Sequence, residues 1–162
     1  MKLNLGCGTD LKEGYVNCDM VAVPGIDRVI DLKIFPYPFA DGCAEEIYCA
    51  HVLEHLDCDL VKVMEEFHRM LRPGGLLRIR VPFYNHCSAW IDPTHRRAFT
   101  YESFSYFVKR HKYGFYTTRH FSSCDVKAIP TKLGTILPEQ LRMRASKVFG
   151  HIVEELDIRL VK

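Results

Sequence analysis

Residues 59–81 read DLVKVMEEFHRMLRPGGLLRIRV, and this stretch decides the fold class. Leu60, Met64, Phe67 and Leu71 recur at spacings of four, three and four, which makes one apolar stripe on a helix of 3.6 residues per turn. An amphipathic helix is therefore expected from about Asp59 to Arg72. Asp57 or Asp59 supplies a carboxylate to cap its start, and Pro73-Gly74-Gly75 is expected to end it. The run before it, Glu46 to Ala50, and the run after it, Leu76 to Val81, are short and apolar and read as strands. A strand, a helix and a second strand form a βαβ unit, which implies a parallel sheet.

Working outward, Lys2 to Leu5, Tyr15 to Cys18 and Arg28 to Ile30 are further candidate strands separated by turns. Beyond Val81, the segment from Pro82 to Phe121 holds most of the aromatic side chains and one expected helix, around Tyr101 to Lys109. The tail reads as a strand near Ser122 to Pro130, a helix near Pro138 to Val148 and a strand near Leu156 to Val161.

The chain has 162 residues, 48% hydrophobic and 26% charged, which fits one ordinary globular domain and neither disorder nor a membrane protein. No apolar run approaches the roughly 20 residues of a spanning helix. The start goes straight into a strand-like run and lacks the pattern of a signal peptide. The seven cysteines are an odd number with no Cys-x-x-Cys pair, as reduced thiols would be, so a cytoplasmic location is expected. The net charge of +2 is small but uneven. Arg96, Arg97, Lys109, Arg110, Lys112 and Arg119 face a single acid, Glu102, between Pro93 and Phe121, which suits an anionic partner or a plain solvated face.

The first strand leads into Leu5-Gly6-Cys7-Gly8-Thr9, where two glycines let a ligand approach the backbone. A dinucleotide fingerprint would need a third glycine at position 11, which is Leu11, and an acid about 20 residues later, so NAD fits poorly. Asp19 and Asp31 end the second and third strands at the carboxyl edge, where a carboxylate can accept both hydroxyls of a ribose. After the fourth strand, His51-x-x-Glu54-His55 matches the pattern of inverted zinc peptidases. That pattern belongs inside a long helix, whereas here it follows a strand and has no evident third ligand, so no metal is expected.

In order along the chain stand Leu3-Asn4-Leu5-Gly6-Cys7-Gly8, Asn17-Cys18-Asp19, Asp31-Leu32, Phe39-Ala40-Asp41-Gly42, His51-Val52-Leu53-Glu54-His55-Leu56 and Leu71-Arg72-Pro73-Gly74-Gly75. This series resembles the motifs of class I S-adenosylmethionine (SAM)-dependent methyltransferases of the small type-11-like kind, over about residues 2–82. The resemblance implies an enzyme with SAM as cofactor and an α/β, Rossmann-like, mostly parallel sheet. It implies that Gly6, Cys7 and Gly8 lie along the methionine and ribose, and that Asp19 holds the ribose hydroxyls. Met20 would pack on the adenine, with Asp31 and Leu32 at its polar edge, and Ala50 and His51 would border the methionine end.

The chain departs from that family in having only eight residues, Cys7 to Gly14, between its first two strands, where a full helix is normal. The helices after strands one and two, and one before strand one, are expected to be missing. In this family those helices cover a single face, so the fold is expected to be a reduced one with helices mainly on the other face. The strands alternate accordingly. Lys2, Asn4, Tyr15, Asn17, Glu46, Tyr48, Arg78 and Arg80 share one parity, and Leu3, Leu5, Val16, Cys18, Ile47, Cys49, Leu77, Ile79 and Val81 the other. Strands buried on both faces would be continuously apolar. The expected cover for the polar face is the C-terminal segment or a second subunit.

Residues 1–162 are thus expected to form one domain, 1–82 binding SAM and 83–162 supplying the acceptor-side loop and C-terminal strands. On that loop, His95 is the candidate base, because imidazole titrates near neutral pH, and Asp92 its orienter. Arg96 and Arg97 could clamp an anionic acceptor and Trp90 could pack against it. A small anionic metabolite or sugar is the expected acceptor, with RNA the alternative given the interleaved aromatics and cations. A non-catalytic SAM-binding scaffold and a zinc hydrolase using His51, Glu54 and His55 are the alternatives of another class. A homo-oligomer is possible, and no membrane partner is expected.

Overall fold

The structure, a computed structural model, describes residues 1–109 and 111–162, so Arg110 of the basic stretch lies outside the described residues. Its elements in chain order are β1 (Lys2–Leu5), β2 (Val16–Asp19), β3 (Arg28–Val29), β4 (Ala44–Ala50), α1 (Leu60–Met70), β5 (Leu71–Pro82), β6 (Ser123–Pro130), α2 (Glu139–Ala145) and β7 (Val153–Val161), with short 3-10 turns between. The strands form a seven-stranded sheet in the order β3-β2-β1-β4-β5-β7-β6. The first five strands run parallel, and β7 is antiparallel to both its neighbours. This is the α/β, Rossmann-like architecture expected from the βαβ unit. Strand order reverses between β1 and β4, so a crevice opens at their carboxyl ends.

Asp59 caps α1 by accepting from the Val61 amide at 2.9 Å. The helix buries Val63, Met64, Phe67 and Met70 against the sheet. It stops earlier than the Pro-Gly-Gly signal implied. Leu71, fully buried, adopts an extended backbone and already pairs with Ala44, because the core beside β4 takes the leucine, and Pro73 disfavours a return to helical geometry at Arg72, the residue before it. The next β4–β5 pair is Glu46 with Leu76, so Arg72 to Gly75 bulge out of the ladder, with Gly74 at φ +73°. The helix expected at Tyr101 to Lys109 is reduced to a 3-10 turn, Ser105–Phe107. Val108 is extended there and bridges Phe121, which anchors the aromatic segment to the core instead of letting a helix propagate.

No helix occupies residues 7–14 or 21–27. Register places Asn4 beside Asn17 and Tyr48, Tyr48 beside Arg78, and Arg78 beside Arg159, so the polar parity runs continuously across the sheet. Its charges pair laterally: Lys2 with Glu46 at 3.4 Å, Arg78 with Asp157 at 3.8 Å, and Arg80 with Glu155. On the opposite parity Leu3, Leu5, Ile47, Leu77, Ile79, Leu156 and Ile158 are fully buried, and Val16 partly so.

The missing first helix is replaced by a side-chain network. Asn4 Nδ2 donates to the Asp10 carbonyl at 2.8 Å and to Asn17 Oδ1 at 2.9 Å. Asn17 Oδ1 accepts from the Lys12 amide at 2.9 Å, and its Nδ2 donates to the Lys12 and Tyr15 carbonyls. Two buried asparagines thus satisfy the backbone of the loop that crosses where a helix would have satisfied its own. Residues 131–150, between β6 and β7, make no hydrogen bonds with the polar-face side chains among the described residues. Ser146 bonds Tyr101 and Asn85, and Lys147 pairs with Glu102, so α2 docks on the region after β5.

Candidate functional site

The crevice at the carboxyl ends of β1, β2 and β4 holds a cleft of about 540 Å³. Gly6, Cys7, Gly8, Asp19, Met20, Asp31, Leu32, Ala50 and His51 all line it, so the structure brings together all nine residues singled out for a nucleoside cofactor. Gly6 and Gly8 both have positive φ, +69° and +49°. Their roles differ. A Cβ on Gly6 would lie 2.2 Å from Val52 Cγ2, so this glycine admits the turn after β4, whereas a Cβ on Gly8 would meet nothing within 4 Å and the backbone there borders open space.

Asp19 Oδ2 accepts from the Gly8 amide at 2.8 Å and Oδ1 from the Val21 amide at 3.1 Å. Those bonds fix the carboxylate across the mouth of the glycine loop. A carboxylate has about four lone-pair sites, so two remain for a diol. Ile30 and Leu32, both buried, form an apolar wall, and Met20, 58% exposed, stands at the rim. The loop carrying that wall is held by α1. Arg69 donates to the Phe39 and Tyr37 carbonyls and to both oxygens of Glu66, and Glu66 Oε2 also accepts from the Tyr37 amide at 2.7 Å. The apolar wall, the fixed carboxylate and the open glycine backbone fit SAM.

Tyr48, Arg80 and His55 also line the cleft and were not expected there as cofactor or acceptor residues. Tyr48 and Arg80 belong to the polar parity. Their parity was visible in sequence, but the cleft's extension onto that face follows from the missing helices.

His51 has φ +56° and its imidazole lies between two acids, Nδ1 3.4 Å from Glu54 Oε1 and Nε2 3.3 Å from Glu155 Oε1. Glu155 and then Glu54 outweigh burial and lift its pKa to about 9, so His51 is an imidazolium at neutral pH. His51 to Leu56 form turns rather than a helix, with the His55 amide bonded to the Val52 carbonyl at 3.0 Å. The single helical face that an inverted zinc-peptidase motif would need for His51 and His55 is therefore not formed.

The acceptor-side residues lie beside the cleft without lining it. His95 Nδ1 bonds the Ala89 carbonyl at 3.0 Å, and because a carbonyl only accepts, Nδ1 carries the hydrogen and Nε2 the lone pair. The Asp92 carbonyl accepts from the His95 amide at 3.2 Å, but the Asp92 carboxylate does not bond the His95 ring. That carboxylate accepts from the Thr94 hydroxyl at 2.7 Å, and Thr94 Oγ1 in turn lies 2.8 Å from His55 Nδ1. Asp92 therefore orients His55, whose ring meets that of His95 edge-on at 4.6 Å. Arg97 donates to the Leu56 and Cys58 carbonyls at 2.6 and 2.8 Å and ties down the turn after β4, which leaves Arg96 as the exposed guanidinium. Trp90 is 67% exposed and donates to the Tyr84 carbonyl.

Residues 6–79 match the family model described as a methyltransferase domain, the type-11 family. This match, a methyltransferase domain over just under half of the chain, supports a SAM-dependent enzyme with SAM as cofactor. Solved structures of low identity share the fold. A SAM-dependent methyltransferase from Archaeoglobus fulgidus is 14% identical, with 99% of this chain and 85% of that one covered and a TM-score of 0.70. A Thermotoga maritima SAM-dependent methyltransferase, described as a possible histamine N-methyltransferase, is 15% identical over 99% and 81% of the two chains, with a TM-score of 0.65. Phosphoethanolamine N-methyltransferase 2 of Haemonchus contortus, in complex with SAM, is 13% identical over 99% and 48%, with a TM-score of 0.63. No curated protein matches the chain. Among the described residues, no helix is long and apolar enough to cross a membrane.

Proposed function

We propose that this methyltransferase, a single domain with its SAM-binding half in residues 1–82, methylates a small anionic acceptor presented at the His51, His55 and His95 end of the cleft. The observation that carries this reading is Arg96, an exposed guanidinium next to His95 at that end with no ion pair among the described residues, whereas the charges of His51 and Arg80 are balanced by Glu54 and Glu155.

In this reading Asp19 accepts the ribose hydroxyls, Met20 and Leu32 hold the adenine, with Asp31 at its polar edge, and Gly6, Cys7 and Gly8 lie along the ribose and methionine. Ala50 and His51 border the methionine, whose carboxylate the imidazolium suits. SAM supplies a methyl group on a sulfonium, and methyl transfer is an in-line displacement that leaves S-adenosylhomocysteine. The protein contributes alignment and removal of the acceptor proton. His95 is the proton acceptor through Nε2, and Asp92 orients the neighbouring His55 through Thr94. Arg96 draws the anionic group of the acceptor, Arg97 supports the turn beneath it, and Trp90 offers a packing surface. All seven cysteines are free, which suits a reducing compartment such as the cytoplasm.

RNA is the second reading, favoured by Tyr113, Phe115 and Tyr116, which are 48%, 71% and 68% exposed beside Lys112 and could stack bases. The test is incubation with methyl-labelled SAM and acceptor pools separated into small-molecule, RNA and protein fractions. Label in anionic small molecules is expected. Label in RNA would replace the first reading with the second, and label in protein would overturn both.

A further inference from the structure

We propose that Glu54, His55 and His95 form a binding site for one divalent cation of the zinc type at the acceptor end of the SAM cleft. The use of such an ion rests on the acceptor end being where we have placed it, but its binding does not.

Glu54 is 1% exposed, and neither carboxylate oxygen has a hydrogen-bond partner. His51 Nδ1 lies 3.4 Å from Oε1, while the other nitrogen of that ring, Nε2, faces Glu155, and Oε2 of Glu54 is left alone. A buried carboxylate without hydrogen bonds is costly, and a bound cation is one of the few ways to relieve it. A Glu54 oxygen and one nitrogen each from His55 and His95 all lie within 4.8 Å of one another. Donors around a tetrahedral ion bound at about 2.1 Å stand roughly 3.4 Å apart, so side-chain rotations of about an ångström close the site.

The surroundings of both rings suit ligation. His95 Nδ1 donates to the Ala89 carbonyl, and His55 Nδ1 donates to Thr94 Oγ1, because the Thr94 hydroxyl hydrogen is already given to Asp92. Both rings are thereby held with a free Nε2 lone pair, and an outer partner on the other nitrogen is the usual arrangement around metal-bound histidine. Two imidazoles and one carboxylate with a fourth position open is a donor set of catalytic zinc.

The sequence motif named His51 and His55 as the histidine pair, but the third donor comes from residue 95, and His51 is diverted to Glu155. An ion here would coordinate an acceptor hydroxyl through its open position and lower the hydroxyl pKa. The hydroxyl would lose its proton to water, and its oxygen would form the bond to the methyl carbon as the carbon–sulfur bond breaks with the electron pair left on sulfur. His95 would then be a ligand rather than a base.

The full chain, stripped with chelator, is titrated with Co²⁺ and followed by visible absorption, with Zn²⁺ as competitor. One equivalent giving a tetrahedral cobalt spectrum and displaced by Zn²⁺ is expected. His95→Ala and Glu54→Gln should each weaken binding by at least tenfold. His86→Ala, in the other histidine cluster with Cys87 and His151, should not. If Glu54→Gln fails to fold, His95→Ala, on a partly exposed loop, decides. Absence of Co²⁺ binding, a thiolate charge-transfer band, or binding unaltered by His95→Ala overturns the proposal. SAM calorimetry on the same samples separates this outcome from failure of the cofactor site.

Discussion

Replacing Asp19 with alanine tests the cofactor site at its most constrained point. In the protein the carboxylate already accepts from the Gly8 and Val21 amides at 2.8 and 3.1 Å, so two of its lone-pair sites are spent on holding the glycine loop and two face the cleft. Each hydrogen bond from a ribose hydroxyl to a charged acceptor contributes about 1.5–3 kcal/mol, and losing two gives an upper bound of roughly 3–6 kcal/mol. Water entering the vacated space recovers part of this, so Asp19→Ala is expected to weaken binding of S-adenosylhomocysteine by about tenfold to a thousandfold. Asp19→Asn keeps one oxygen but turns an amide NH₂ toward one of the two backbone amides, and should fall between. Isothermal titration calorimetry with S-adenosylhomocysteine measures this directly, with circular dichroism to confirm the fold. An alanine variant that remains folded and binds within threefold of the parent would remove Asp19 from the site.

Gly6→Ala puts a Cβ at positive φ and 2.2 Å from Val52 Cγ2, with Val52 Cγ1 and Cβ at 3.1 and 3.2 Å, so rotating the valine gives no relief. Strain and overpacking together should cost about 2–4 kcal/mol, read as a lower midpoint in urea unfolding; an unaltered midpoint would refute the close-approach argument. His95→Ala should lower turnover on an accepted substrate by about 10²–10⁴ while leaving SAM affinity intact, and parallel loss of SAM binding would make His95 structural. The His51 pairs with Glu155 and Glu54 raise its pKa from 6.5 to about 9, so their contribution is complete below about 6.5 and is lost as pH rises through 9. His51→Asn, chosen because asparagine tolerates positive φ, should therefore flatten the fall in melting temperature over that interval. A parallel pH dependence in parent and variant would contradict the assignment.

Much of the fold was legible because it rests on periodicity. The Leu60, Met64, Phe67 stripe, the glycine loop and the two strand-end acids are local patterns, and the right-handed βαβ rule converts them into a parallel sheet with one edge for ligands. The alternation of Lys2, Asn4, Asn17, Tyr48, Arg78 and Arg80 with apolar neighbours likewise announced a sheet with one polar face, since pleating sends successive side chains to opposite sides. Only the tertiary structure decided where the charged ends meet. His51 could be read as a motif histidine, but its partner Glu155 is on β7, whose neighbour β5 carries Arg80. His95 could be read as a loop base, but its proximity to Glu54 and the diversion of Asp92 to His55 depend on how a 3-10 turn and the Arg97 bonds fold that loop back over the turn after β4. The helix at Tyr101 to Lys109 failed for the same reason: spacing records a local preference, and the bridge from Val108 to Phe121 is a long-range contact that overrides it. Short-range order is written in the pattern of the chain, whereas a site built from residues 51, 54, 55, 95 and 155 exists only once the sheet brings distant strand ends to one edge.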